Sequence, residues 1–335
     1  MSAGIDMSNG RANMAHAKGT PKPWWGIGFE VDANASIEEW QRAAGLNFEV
    51  LKGELLFRDS ADVIHEASKA LNRSVLYRSD TLAPLSVMSK NRYHIHQPAD
   101  ILAFISDVSK ATGWPVETAG SLYGGRKIWA LLKVPVSFTL PGGDVVEGYL
   151  LASTSFDGSS GSDFRFICTR VVCANTLHMG LSEKVKHATV VYHDTVIDVQ
   201  RVKADLGMAA EPVWTSFIET AKQLASIKLT RSQAVSILRK VYDDTPIVSS
   251  AVRVPDEQFI LDNPTPRRIL GLYEGAGLGS NLASALNTGW GLVNAVTQDT
   301  DHFGSNRNSR LNSAWFGPGA ARKQAVVEAV LDVAA

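Results

Sequence analysis

Cysteine is nearly absent from this sequence. Cys168 and Cys173 are the two cysteines among 335 residues, too few for a disulfide framework. They lie five positions apart, so on one extended strand they point to opposite faces; neither a disulfide nor a bound metal is expected at them. Free thiols fit a reducing compartment. Long apolar runs are also missing. None reaches the ~20 residues that span a bilayer, and residues 1–20 lack the apolar segment of a signal peptide, so the protein is expected in the cytoplasm with no membrane partner. Net charge is missing as well. The formal value is -1, from 33 Lys+Arg and 34 Asp+Glu, so any nucleic-acid surface has to be local. No catalytic motif is complete. The glycine-rich stretch Glu274 to Ser280 lacks the Gly-Lys-Ser/Thr ending of a phosphate loop and follows a helical pattern; it reads as a linker between helices. An enzyme is not the leading expectation, and no cofactor is implied.

What the sequence does contain is ordinary globular patterning. Residues 1–22 are small and polar, with no periodic apolar stripe, and are expected to form a flexible arm. Ser36 and Glu39 have capping-box spacing ahead of a short helix. Strand character is read over 48–57, 75–77 and 85–88, and helical apolar spacing over 59–71. Pro98 opens a helix that stops at Gly113. The clearest region is 116–122, 127–140, 145–155 and 163–172, rich in β-branched and aromatic residues and separated by Gly- and Asp-rich turns. Such short turns imply an antiparallel meander. A further strand is expected over 184–192, then a long helix over 195–224 that Pro212 should break or kink. Helices fill 232–242, 266–273, 282–297 and 320–333. The fold class is therefore α+β, a central antiparallel meander followed by a long helix. The expected division is an arm over 1–22, an α+β core over 23–228 and a helical region over 229–335.

Several strings share one resemblance. Pro23-Trp24-Trp25-Gly26-Ile27-Gly28 is similar to the Pro-Trp-His-Gly-Leu-Gly opening of an uncharacterised phage/plasmid-like protein family, with Trp25 in place of the usual His. Ala43 to Val50, Tyr93-His94-Ile95-His96-Gln97-Pro98, Ala119 to Arg126 and Arg170 to Leu177 follow in family order. Gly289-Trp290 through Thr297, Asp301-His302 and Ser313 to Gly317 complete it. The resemblance implies a gene carried on a mobile element and no established chemistry. The meander and long helix also resemble, in topology alone, the core of Rad52-type single-strand annealing proteins; fold analogy constrains function weakly.

The local charge that matters lies in 73–133. Arg73, Arg78, Lys90, Arg92, Lys110, Arg126, Lys127 and Lys133 stand against Asp80, Asp100, Asp107 and Glu117, with Tyr77, Tyr93, Trp114, Tyr123 and Trp129 among them. Single strands need neutralising charge for phosphates and flat partners for unpaired bases. Lys90, Arg92, Tyr93, Tyr123, Arg126, Lys127 and Lys133 are thus the expected nucleic-acid-binding residues. Ser121 to Arg126 is either a phosphate-cradling nest or a plain hairpin turn. The expected function is single-stranded DNA binding or annealing by a homo-oligomer, in recombination or replication. The alternatives are a metal-dependent enzyme on nucleotides or nucleic acid, using Asp299, Asp301 and His302, or a non-catalytic host-interaction protein. The group His178, His187, His193, Cys168, Cys173 and Asp194 lacks tight zinc-ligand spacing, and Asp299, Asp301 and His302 equally suit a helix terminus.

Overall fold

The computed structural model describes residues 5–7, 10–19, 27–32, 35–170, 175–178, 188–243, 255–303 and 310–334. The chain begins with β1 (Met14–Ala17), β2 (Phe29–Val31) and α1 (Ile37–Ala43). Then come β3 (Val50–Gly53), β4 (Leu56–Arg58), β5 (Ile64–Glu66), the single turn α2 (Ser68–Leu71), β6 (Arg73–Arg78), β7 (Pro84–Ser89) and α3 (Pro98–Thr112). The meander is β8 (Val116–Leu122), β9 (Lys127–Leu140), β10 (Asp144–Ser155) and β11 (Ser162–Arg170), followed by β12 (Asn175–His178) and β13 (Ala188–Val191). Helices follow: α4 (Val199–Ser226), α5 (Arg231–Tyr242), α6 (Asp256–Asp262), α7 (Pro264–Gly271), α8 (Gly289–Gln298), α9 (Arg310–Phe316) and α10 (Pro318–Ala334). The fold is α+β.

The main sheet has the order β12-β11-β10-β9-β8-β1-β2, with β13 also paired to β11. Strands β8 to β11 are neighbours in chain order, and their short connections leave only the antiparallel direction. The sheet is mixed because β1 runs parallel to β2 and antiparallel to β8. Separate small sheets are β3-β6-β7 and the hairpin β4-β5.

Local signals explain most elements. Ser36 and Glu39 close the expected capping box on α1, and α3 starts at Pro98 and stops at Gly113, whose φ of 74° is left-handed. Three expectations need correcting. Met14–Ala17, within the stretch expected to be a flexible arm, forms β1 with all four residues buried; pairing on both sides supplies the order that its composition does not advertise. The helix expected over 59–71 is instead β5 and the single turn α2. Its apolar residues Val63, Ile64 and Leu71 are exposed, so the apparent helical stripe has no core to face. Pro212 does not end α4, which runs through it. No helix among the described residues is long and apolar enough to cross a membrane.

Two compact units share the chain, and neither is a single continuous stretch. One comprises Met1–Pro135, Tyr149–Phe166 and His187–Ala209; the other comprises Val136–Gly148, Ile167–Lys186 and Ala210–Ala335. In the first, Phe104 of α3 packs on Phe164 of β11 at 4.5 Å between ring centroids. The Gln97 side chain accepts from Val50 N and donates to Val50 O, at 2.8 and 2.9 Å, which docks the start of α3 on β3. In the second unit, Phe217 of α4 meets Phe138 of β9 edge-on at 5.8 Å. Fully buried Asp144 accepts from Ser284 Oγ at 2.6 Å and from Trp290 Nε1 at 3.0 Å, tying the start of β10 to α8.

Candidate functional site

Five of the seven expected nucleic-acid-binding residues, Lys90, Arg92, Tyr93, Tyr123 and Arg126, lie in the first unit on three chain segments that meet at Phe156. Its N–H donates to Arg126 O at 2.7 Å, and its carbonyl accepts a very short hydrogen bond from Ser86 Oγ of β7. Next to it, Ser155 O accepts from the Tyr93 hydroxyl at 3.1 Å. The middle of β7, the segment that follows it, the turn between β8 and β9 and the end of β10 are thereby held together. Lys90 and Arg92 follow β7, and Arg126 follows the turn; all three are exposed. Their side chains make no hydrogen bond or ion pair among the described residues.

The turn before Arg126 is Tyr123-Gly124-Gly125, with φ values of 54°, 71° and 91°. Left-handed backbone is costly for tyrosine and free for glycine. The glycines also make room. A Cβ on Gly125 would stand 2.9 Å from Arg78 Nη1, and Gly124 O accepts from that same guanidinium at 3.2 Å. Arg78 is fully buried. It bonds Asp6 at 2.7 Å and Asp80 through Nε and Nη2 at 2.9 and 2.7 Å, and its guanidinium lies 4.0 Å from the Phe48 ring. The inner side of the turn is thus filled by an ion-pair network, and its outer side carries Arg126.

The other expected residues are placed differently. Lys127 is 2% exposed. Burial pushes its ammonium below the ordinary value, against the pull of Asp157 and Asp163. It is an interior cation and is not presented to solvent. Lys133 lies at the far end of the β8–β9 hairpin, where Val116 pairs with Leu132, whereas Lys127 pairs with Leu122 beside the turn; six strand residues are about 20 Å. It does not join the cluster. Tyr123 is half-buried, and burial and Asp157 push its phenol up to about 12; the hydroxyl is buried with no hydrogen-bond partner among the described residues. Asp157 acts in the same direction on Tyr93, so one carboxylate neighbours Tyr93, Tyr123 and Lys127.

Tyr93 is partly committed to packing. Its ring stacks on His193 at 4.5 Å and 13°, and His193 stacks on His96 at 4.3 Å. Sequence reasoning missed this group. His96 Nε2 donates to Thr195 O at 2.7 Å, and its Nδ1 lies 2.8 Å from Ser162 Oγ, which bonds Thr154 Oγ1 at 2.8 Å. His193 Nδ1 donates to His94 O at 2.9 Å. A ring nitrogen facing a carbonyl must carry the hydrogen, so both tautomers are fixed. Burial lowers both imidazoles, His193 to about 4. Thr154 in the run Ser153-Thr154-Ser155 and Ser162 at the start of β11 are buried hydroxyls, but their sequence carries no sign that His96 and His193 are their partners.

The remaining candidates are built into the fold. Cys168 is buried, and burial raises its thiol well above the ordinary value; Cys173, His187 and the side chain of His178 lie outside the described residues. In the second unit, Asp299–Phe303 forms a π-helical turn after α8. Asp299 pairs with Arg268 and Asp301 with Lys323, each at 2.5 Å. Both carboxylates are therefore neutralised by cations, and among the described residues no group of three or more His, Cys, Asp or Glu side chains could hold a metal ion. Glu274 bonds Arg231 at 2.8 Å, and Leu278 N donates to Gln298 Oε1 at 3.0 Å, the arrangement of a linker between α7 and α8.

Comparison with curated proteins and with solved structures gives no match. Residues 84–322 match the family model described as "Domain of unknown function (DUF932)", and the match covers well over half of the chain, which therefore belongs to that family of uncharacterised proteins.

Proposed function

We propose that this protein binds single-stranded DNA, and anneals it as a homo-oligomer, during recombination or replication of a phage or plasmid. The observation that carries the reading is the placement of Lys90, Arg92 and Arg126. They are exposed, without side-chain partners among the described residues, and set on segments that meet at Phe156. Tyr123 stands one turn away, partly exposed and without a ring contact among the described residues. Free cations beside an available aromatic ring suit a flexible, charged strand whose bases are unpaired. The β8–β11 meander, with β12 and β13 between it and the long helix α4, is the element order on which the likeness to Rad52-type annealing proteins rests, at the level of topology alone.

The arrangement narrows the expected contact set. Phosphate contacts fall to Lys90, Arg92 and Arg126, and base stacking falls to Tyr123 with the outer face of Tyr93. Lys127 supports the site from inside through Asp157 and Asp163. The test is fluorescence anisotropy of a labelled oligothymidylate as salt is raised. Replacing Lys90, Arg92 and Arg126 together by Ala should weaken binding for every base sequence, because phosphate contacts carry no sequence information. The slope of log affinity against log salt should shrink by roughly 0.7 for each phosphate that the variant no longer neutralises. An unchanged affinity and slope in the triple variant would move the site elsewhere.

A further inference from the structure

The hairpin β4–β5 is held at its root and bare beyond it. Leu55 N–H donates to Ser68 Oγ at 2.5 Å, and Ala67 N–H donates to Leu55 O at 2.8 Å. From Leu56 to Glu66 no residue is buried. Leu56, Phe57, Val63 and Ile64 are 51%, 53%, 50% and 57% exposed. A two-stranded hairpin with no covered face is marginal in water, and clustered exposed apolar side chains mark an interaction surface.

The charges of the hairpin say what covers it. Glu54, Asp59, Asp62 and Glu66 outnumber Arg58 and Lys69, which disfavours a nucleic acid. The cross-strand register pairs Leu56 with Glu66, Phe57 with His65 and Arg58 with Ile64. Leu56, Glu66, Arg58 and Ile64 therefore share one face, and Phe57 and His65, stacked at 5.2 Å, share the other. On the first face, Leu56 and Ile64 occupy one diagonal and Arg58 and Glu66 the other. That face is complementary to itself. Laid on a copy related by a two-fold axis along the apolar diagonal, Leu56 and Ile64 meet their own counterparts, and each Arg58, bonded to Asp62 of its own chain at 2.6 Å, meets the Glu66 of the other chain, which within its own chain has, among the described residues, only the exposed Lys69 at 3.9 Å.

We propose that the β4–β5 hairpin is a self-association surface that takes the same hairpin of a second copy of this chain. It deepens the homo-oligomer part of the proposed function, is independent of the DNA contacts, and stands on the hairpin's own geometry. The hairpin face is smaller than the ~800 Å² per partner of a standard interface, so association is expected to depend on concentration in the micromolar range.

Sedimentation velocity of the full chain without DNA, over a concentration series, tests it. The unaltered protein should pass from monomer to dimer or a larger assembly. Arg58→Glu and Glu66→Arg, each alone, should raise the dissociation constant at least about tenfold, since each places like charges opposite one another twice. The double variant should restore association, because the pair is re-formed with its signs exchanged. These side chains are exposed, so circular dichroism should show all variants folded. A chain that stays monomeric throughout the series overturns the proposal. So does association that is indifferent to the single reversals, or a double variant no better than either single one.

Discussion

Arg78 shows how a charged residue can be spent on structure. Its sequence neighbourhood is basic and aromatic, which suggests a surface contact, yet its side chain is fully buried between Asp6 and Asp80 and against Phe48. The sequence carries no sign that Asp6, 72 positions away, supplies the partner. Removing one member of a buried pair leaves the other charge uncompensated. Arg78→Leu is expected to cost about 3–5 kcal/mol, read as a lower midpoint in denaturant unfolding. Asp80 is held below its ordinary value by that guanidinium, so its share of the stability is present above the unfolded carboxylate range and is lost as pH falls through the lowered value. His193 adds a second window. Its folded value, pushed down chiefly by burial to about 4, lies below the ordinary 6.5. The unfolded chain therefore takes up the proton first. Stability is expected to fall as pH drops from 6.5 towards about 4 and then to level off, by on the order of 2–3 kcal/mol for this group. His193→Gln should flatten unfolding midpoints measured across that window; an unchanged profile would show that the ring is not held neutral.

At the scale of elements, what was legible depended on how strongly a segment declares its own period. The meander strands, α3 with Pro98 and Gly113, and the capping box of α1 each carry a local signal, and each stands within a few residues of its expected bounds. The stretch 59–71 carries a misleading one, because Val63, Ile64 and Leu71 at helical spacing face solvent and, of that stripe, only Ala67 is buried. Met14–Ala17 carries none, since Met-Ala-His-Ala has no β-branched residue and becomes a strand only by insertion between β2 and β8. Turn chemistry is more dependable. Gly125 combines φ of 91° with close approach to Arg78 and to Phe48, whose Cζ would lie 3.1 Å from an added Cβ. Gly125→Ala is expected to destabilise the fold by about 1–3 kcal/mol through strain and overpacking. Gly124, with nothing near an added Cβ, should cost less when changed to Ala, and equal midpoints for the two variants would contradict this view of the turn.

For the whole molecule, overall charge and overall composition said little, and the site had to be read locally. Of the seven residues expected to bind nucleic acid, Lys90, Arg92, Tyr93, Tyr123 and Arg126 lie on segments that meet beside Phe156. Lys127 faces inward, and Lys133 stands at the other end of its hairpin. A strand's alternation can place a lysine on either face, so charge counting along the sequence could not separate Arg126 from Lys127. The exposed cations and Tyr123 are proposed to serve a flexible single strand rather than a rigid duplex. The direct test is competition at low salt between a labelled single strand and unlabelled single-stranded or duplex DNA of equal length. The single strand is expected to compete more strongly, and Tyr123→Ala to lower single-strand affinity by about 1–3 kcal/mol. No binding of either form at low salt, where electrostatic attraction is greatest, would contradict it.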